Sequence, residues 1–162
     1  MIPCNLGTVT VRYLECQDHE SYIALEKDAV IKQYVGGPSP RTKQDLKENL
    51  GEYRPQISLM VIADSETNKF IGRCGLLEGM GLYEAELYIL LANTHHKRGI
   101  ASVVVPFLVQ LASSKGKAAV AYVDPNNNAS IKLMNRVGAI HAGIAEVEGY
   151  QDGHLRYVFP IV

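Results

Sequence analysis

The chain has 162 residues, 47% of them apolar and 20% charged, with a formal net charge of −1. That length suits one domain able to bury a core without metals or disulfides, and the composition is that of an ordinary soluble globule. The near-zero charge argues against a nucleic-acid binder working by general phosphate neutralisation, though not against a small basic pocket.

Three cysteines, Cys4, Cys16 and Cys74, are odd in number and widely spaced, with no CxxC pair. Reduced thiols in a cytosolic protein account for them, and no Cys/His spacing supplies a four-ligand zinc site. The first seven residues lack a charged segment leading into an apolar one, so no signal peptide is indicated. No apolar run reaches the ~18 residues of a membrane span. A soluble, cytoplasmic protein without a membrane partner is the expectation.

In chain order, 8–14 alternates apolar and polar residues and reads as a strand. Gln17-Asp18 marks a helix start, and the broken stripe Tyr22, Ile23, Leu25, Ala29, Val30, Ile31 predicts two short helices meeting near Asp28. Gly36-Gly37-Pro38-Ser39-Pro40 is a break, followed by a polar helix over 42–53. Residues 58–63 and 69–77 read as hairpin arms across the turn 64–68, Gly79-Met80-Gly81 closes the second arm, and 83–91 is the next strand.

The helix over 99–115 carries the strongest periodicity: Ile100, Val103, Val104, Phe107, Leu108 and Leu111 predict its buried stripe. Pro106 predicts a kink on the side away from that stripe. Residues 118–123 read as a buried strand. Ile131, Met134 and Val137 mark a second amphipathic helix, with Gly138 as its left-handed C-cap. Strands over 140–147 and 154–161 complete the chain. The unit 83–91, 99–115, 118–123 is long enough for a right-handed crossover, which makes its two strands parallel in an otherwise mostly antiparallel sheet. The expectation is an α/β (α+β) single domain over 1–162, with a mixed sheet of about seven strands and helices on both faces.

Two segments carry chemistry. In His96-Lys97-Arg98-Gly99-Ile100-Ala101, basic residues and a glycine open a helix directly after a strand. There the unsatisfied N–H groups and the helix dipole favour an anion such as a pyrophosphate. A charged helix start with a glycine for close packing is the plainer reading. The second segment, Asn127-Asn128-Ala129-Ser130, followed by an apolar helix and Gly138-Ala139, reads by itself as a capped surface helix. Its pairing with the first, one strand upstream, changes that balance.

Together the two segments resemble the GNAT superfamily of acetyl-CoA-dependent N-acetyltransferases. The family pattern Gln/Arg-x-x-Gly-x-Gly/Ala is matched by His96-x-x-Gly99-x-Ala101, Glu86 stands in register with the glutamate of the preceding strand, and Asn127 and Ser130 match Asn-x-x-Ser. The opening strand ending Val11-Arg12-Tyr13-Leu14-Glu15, with Gln17-Asp18 starting a helix, is similar to the subgroup of ribosomal-protein N-terminal (alanine/serine) acetyltransferases. The chain departs from the pattern at His96, at Lys97 where glycine is frequent, and at Met134 where many members carry a tyrosine acid.

The resemblance implies a GNAT-like fold with one splayed parallel strand pair, no metal, and direct attack of an amine on the thioester of acetyl-CoA without an acyl-enzyme. It implies an oxyanion donor from a backbone N–H near Leu91. The pantetheine arm lies along Ile89 and Leu91, in the gap left where the strand ending at Val123 splays away. The diphosphate meets the N–H groups of Arg98, Gly99, Ala101 and Ser102, and His96, Lys97 and Ile100 are further cofactor-binding candidates. Lys97, Lys132 and Arg136 are candidates for the ribose 3′-phosphate. Ser130, held directly or through a water by Asn127, is the candidate acid for the thiolate. Glu86 or Glu84, two apart on one strand and so on the same face, is the candidate base, acting through water. A hydrogen-bonded strand carboxylate is the plain alternative for either one. The acceptor is a protein N-terminus or a small amine, with no direct nucleic acid, in a monomer or homodimer. A non-catalytic acyl-CoA-binding sensor or assembly module is the competing reading, since position 134 lacks the tyrosine.

Overall fold

The computed structural model describes residues 1–38, 44, 56–92, 99–150 and 152–160. Its strands are β1 (Cys4–Asn5), β2 (Val9–Tyr13), β3 (Met60–Asp64), β4 (Phe70–Glu78), β5 (Glu84–Leu91), β6 (Ala118–Val123), β7 (Ile140–Ala145) and β8 (His154–Val158). They form one mixed sheet in the order β1-β2-β3-β4-β5-β6-β8-β7. Its parallel pair is β5 with β6, joined through Glu84–Ala118, Ala85–Ala119 and Glu86–Val120. Among the described residues the α-helices are α1 (His19–Lys27), α2 (Ala29–Lys32), α3 (Ile100–Ser114) and α4 (Asn128–Arg136), with a 3₁₀ turn at Cys16–Asp18. The sheet has one strand more than expected: β1 is only two residues long and pairs with β2, too short for any periodicity to show. The predicted polar helix over 42–53 lies outside the described residues, Gln44 excepted. No helix among the described residues is long and apolar enough to cross a membrane.

Two compact units divide the chain, the first formed by residues 1–33, 37–75 and 89–100, the second by 34–36, 76–88 and 101–162. In the first unit, β3 is buried on both faces, with Met60, Val61, Ile62 and Ala63 fully enclosed. Leu14, Tyr22, Leu59, Val61 and Ala63 cluster there, and Ile23 and Phe70 pack against them. Full burial of each such large apolar side chain stabilises by roughly 1.5–3 kcal/mol.

The first unit also buries charge. Asp18, only 1% exposed, accepts from Arg12 Nη1 and Nη2 at 2.7 and 2.9 Å and from the Glu15 N–H at 2.8 Å. That bidentate bond, with Asp18's charge, raises the Arg12 pKa against the opposing effect of burial. Glu26 meets Lys32 Nζ at 3.1 Å and Arg73 Nη2 at 2.7 Å, and Arg73 lies over the Tyr22 ring at 5.6 Å. Asp28 separates α1 from α2 because its carboxylate caps the second, accepting from the N–H groups of Val30 and Ile31 at 2.9 and 3.0 Å.

In the second unit α3 runs through Pro106 as one helix, with the proline exposed. Its buried stripe is turned from the expected one: Val103 is 42% exposed, while Val105 and Ala112 are buried with Val104, Phe107 and Leu108. Val103-Val104-Val105 offers the same side chain at three successive angles, so composition could not say which would face inward. β7 ends at Ala145, before the expected 147, ahead of a turn bonded from Tyr150 N–H to Val147 O, and β8 ends at Val158. Gly138 takes φ +78 after α4, as a C-cap requires.

Candidate active site

Strand β5 alternates in burial: Ala85 and Leu87 are buried, and Glu84, Glu86 and Tyr88 lie half-buried on the other face. Register places Glu86 beside Val120, and Val120 beside Val158 of β8, so Tyr122, Arg156 and His154 share that polar face. The last parallel partners are Glu86 and Val120, although β5 continues to Leu91 and β6 to Val123.

The two glutamates differ in their surroundings. Glu84 is engaged at both oxygens, one accepting from the Gly81 N–H at 3.1 Å and the other paired with Arg156. The Glu86 side chain has no hydrogen bond or ion pair among the described residues. Burial raises its pKa, and the field of His154 partly offsets this. Tyr150 lies close by: burial raises its pKa first, then the charges of Glu86 and Asp124. Its ring stands edge-on to His154 at 4.5 Å, and His154 Nδ1 is 3.2 Å from the Asp152 carbonyl. The Tyr122 hydroxyl is buried without a hydrogen-bond partner among the described residues. Arg156 and Asp124 escaped the sequence reading. Alternation shows that His154 and Arg156 share a face, but only the β6–β8 register shows that it is the face of Glu84.

On the donor side, His96, Lys97 and Arg98 lie outside the described residues. Gly99 enters α3 with φ +73, a backbone conformation that a side chain there would strain. Ile100 is buried, and Ala101 and Ser102 are half-buried in the first turn. Asn127 caps α4 by accepting from the Ser130 N–H at 3.2 Å, so its carbonyl oxygen holds the Ser130 backbone. The Ser130 hydroxyl has no partner among the described residues. Met134 is in the core, 4% exposed. Lys132 and Arg136 are exposed one helical turn apart. Arg136 Nη1 donates to Ser102 Oγ at 3.3 Å, which brings the two sequence motifs together. A guanidinium at the positive end of a helix dipole is poorly placed by itself. An anion shared by Arg136 and the first turn of α3 would reconcile the two charges, which is the fit a diphosphate needs.

The mixed sheet with one short parallel ladder, leading into a helix start, agrees with a GNAT fold. The chain belongs to the acetyltransferase (GNAT) domain family, whose pattern matches residues 8–140. It is an acetyl-CoA-dependent N-acetyltransferase with an amine substrate. The fold is similar to that of spermidine N-acetyltransferase from Vibrio cholerae, solved in complex with CoA and spermine (19% identity, 94% of this chain and 95% of that one, TM-score 0.79). It is also similar to an acetyltransferase from Agrobacterium tumefaciens (24% identity, 94% and 91%, TM-score 0.71). A third similar structure is Mycobacterium smegmatis RimJ in complex with CoA-disulfide (16% identity, 95% and 82%, TM-score 0.68). No curated protein matches the chain.

Proposed function

We propose that Glu86 is the base that readies the acceptor amine, directly or through one water, for attack on the acetyl thioester. The observation that carries this reading is the contrast on β5: Glu84 has both oxygens engaged, whereas Glu86 is half-buried, lacks a cation partner among the described residues and has a raised pKa. A carboxylate tuned upward is better matched to taking a proton near neutral pH than an ordinary one. Tyr150, Tyr122 and His154 form the rest of the acceptor face, and Arg156 fixes Glu84 so that the strand presents Glu86.

On the donor side, Gly99, Ile100, Ala101, Ser102 and Arg136, with Lys97 and Arg98, hold the diphosphate. Lys132 stands by for the 3′-phosphate, and Ile89 and Leu91 receive the pantetheine arm and the acetyl group. Asn127 sets the backbone of Ser130, whose hydroxyl returns a proton to the departing thiolate. The family match over 8–140 crosses both compact units, which supports one acetyltransferase domain over the chain. Three free cysteines, with the Cys74 thiol pushed by burial up to about 12, support a reducing, cytoplasmic setting.

Two classes of acceptor compete. The opening strand and helix favour a protein N-terminus, in line with the ribosomal-protein acetyltransferase subgroup. The likeness to a spermidine N-acetyltransferase favours a small amine. A thiol-release screen against N-terminal peptides and small amines, run on wild type, Glu86→Gln and Ser130→Ala, decides. Turnover on peptides beginning with alanine or serine selects the first class. Unchanged turnover in Glu86→Gln removes Glu86 as base, and unchanged turnover in Ser130→Ala removes Ser130 as acid.

A further inference from the structure

Three irregularities coincide in the first unit. Strand β4 carries one extra residue against β3: Ala63 pairs with Phe70 but Ile62 pairs with Gly72, leaving Ile71 as a bulge. Ile71 O accepts from the Ala92 N–H at 2.9 Å, just past the end of β5. At Gly72 a Cβ would overlap the Leu90 carbonyl oxygen and stand 3.0 Å from Leu91 Cα and 3.1 Å from Leu91 Cδ2. The Leu90–Leu91 backbone therefore passes over the face of β4 where a side chain at position 72 would be. Gly72 is not among the glycines with positive φ, so conformational freedom is not why glycine stands there. The atoms opposing a Cβ are mainly backbone, which cannot swing aside as a side-chain tip can. A glycine inside a strand beside a bulge marks a close approach of another backbone.

We propose that Gly72 is a positioning residue for acetyl transfer: the absence of a side chain there sets the path by which the Leu90–Leu91 segment meets the acetyl end of the donor. The inference rests on the reading that this part of β5 receives acetyl-CoA. An alanine at 72 would displace the Leu90 carbonyl by about 1 Å, and a misplacement of that size costs on the order of 100-fold in rate. The helix start that holds the diphosphate is elsewhere, so CoA affinity should change little.

The test compares Gly72→Ala with Gly75→Ala. Gly75 is the other β4 glycine without room, but its Cβ would meet the backbone of Ser58 at 2.6 Å, away from Leu90 and Leu91. The expected result for Gly72→Ala is a kcat about 100-fold lower per folded molecule, with a CoA dissociation constant within about 3-fold of wild type. Gly75→Ala should lower Tm without that split. Equal kcat losses in the two variants, or none in Gly72→Ala, would overturn the proposal. If Gly72→Ala fails to fold, amide NMR on the wild-type protein decides. Replacing CoA by acetyl-CoA should shift the resonances of Gly72, Leu90 and Leu91. Shifts at Ala101 and Ser102 without any at those three sink the proposal alone. No response anywhere to either ligand sinks the reading of the donor site beneath it.

Discussion

Glu26 in the first unit and Glu86 in the second are both carboxylates withdrawn from water, and they have opposite fates. Glu26 is 2% exposed and meets two cations, Lys32 and Arg73. Glu86 is half-buried with no cation paired to it among the described residues, and burial pushes its pKa upward. A buried charge that meets opposite charges holds structure, because removing either partner strands the other. One that is desolvated and left unpaired has its pKa moved upward, which is the property chemistry uses.

The sharpest way to break this comparison is Glu86→Gln. A general base contributes about 10²–10⁴-fold, so kcat/KM for the amine should fall by that order, measured by thiol release at saturating acetyl-CoA. The acidic limb of the wild-type kcat/KM profile should lie above the ordinary glutamate value of about 4.3 and vanish in the variant. Stability moves the other way. A raised folded pKa means the native chain holds the proton more tightly than the unfolded one. The stability linked to Glu86 is then complete below the ordinary value and is lost as pH rises through the raised one. Urea titrations of Glu86→Gln at neutral pH should therefore show stability equal to or greater than wild type, with the gain fading toward pH 4.

The opposite substitution, Glu26→Gln, should cost about 3–5 kcal/mol, because it leaves Lys32 and Arg73 buried without their counter-charge. Thermal unfolding reads this, and turnover per folded molecule should be unchanged; a loss of turnover on the scale of Glu86→Gln would dissolve the distinction. Asn127→Ala removes the cap on the Ser130 N–H and should cost about 1 kcal/mol, with an added fall in kcat if the cap also sets the Ser130 hydroxyl. The smallest effect belongs to Glu78→Gln. Its pair with Lys117 is 2.7 Å long, but the Glu78 side chain is 88% exposed. Water and salt screen such a pair, so any change in Tm should be barely measurable.

These residues also separate what was legible from what was not. Glu86, Gly99, Asn127 and Ser130 stood out as candidates because they match a family pattern of residue types at fixed spacing around a strand, a helix start and a cap. Glu26, Asp18 and Arg12 could not: each looks like a solvated charge on a polar position until its partner arrives from another element. The turned stripe of α3 has the same origin, since three adjacent valines leave the buried angle undecided. Glu84 and Glu86 were equivalent candidates by alternation, and the arrival of Arg156 and the Gly81 N–H at Glu84 separates them.

The sequence by itself determined most of the elements and the parallel crossover, because periodicity, capping and crossover handedness are local rules, and it carried the chemical class through the family resemblance of its two motifs. Tertiary structure decided which charges are paired, which of the two strand carboxylates is left poised, and that the backbone of Leu90–Leu91 crosses Gly72. Those outcomes depend on groups from distant parts of the chain meeting at distances of a few ångströms, and nothing in local spacing encodes such a meeting.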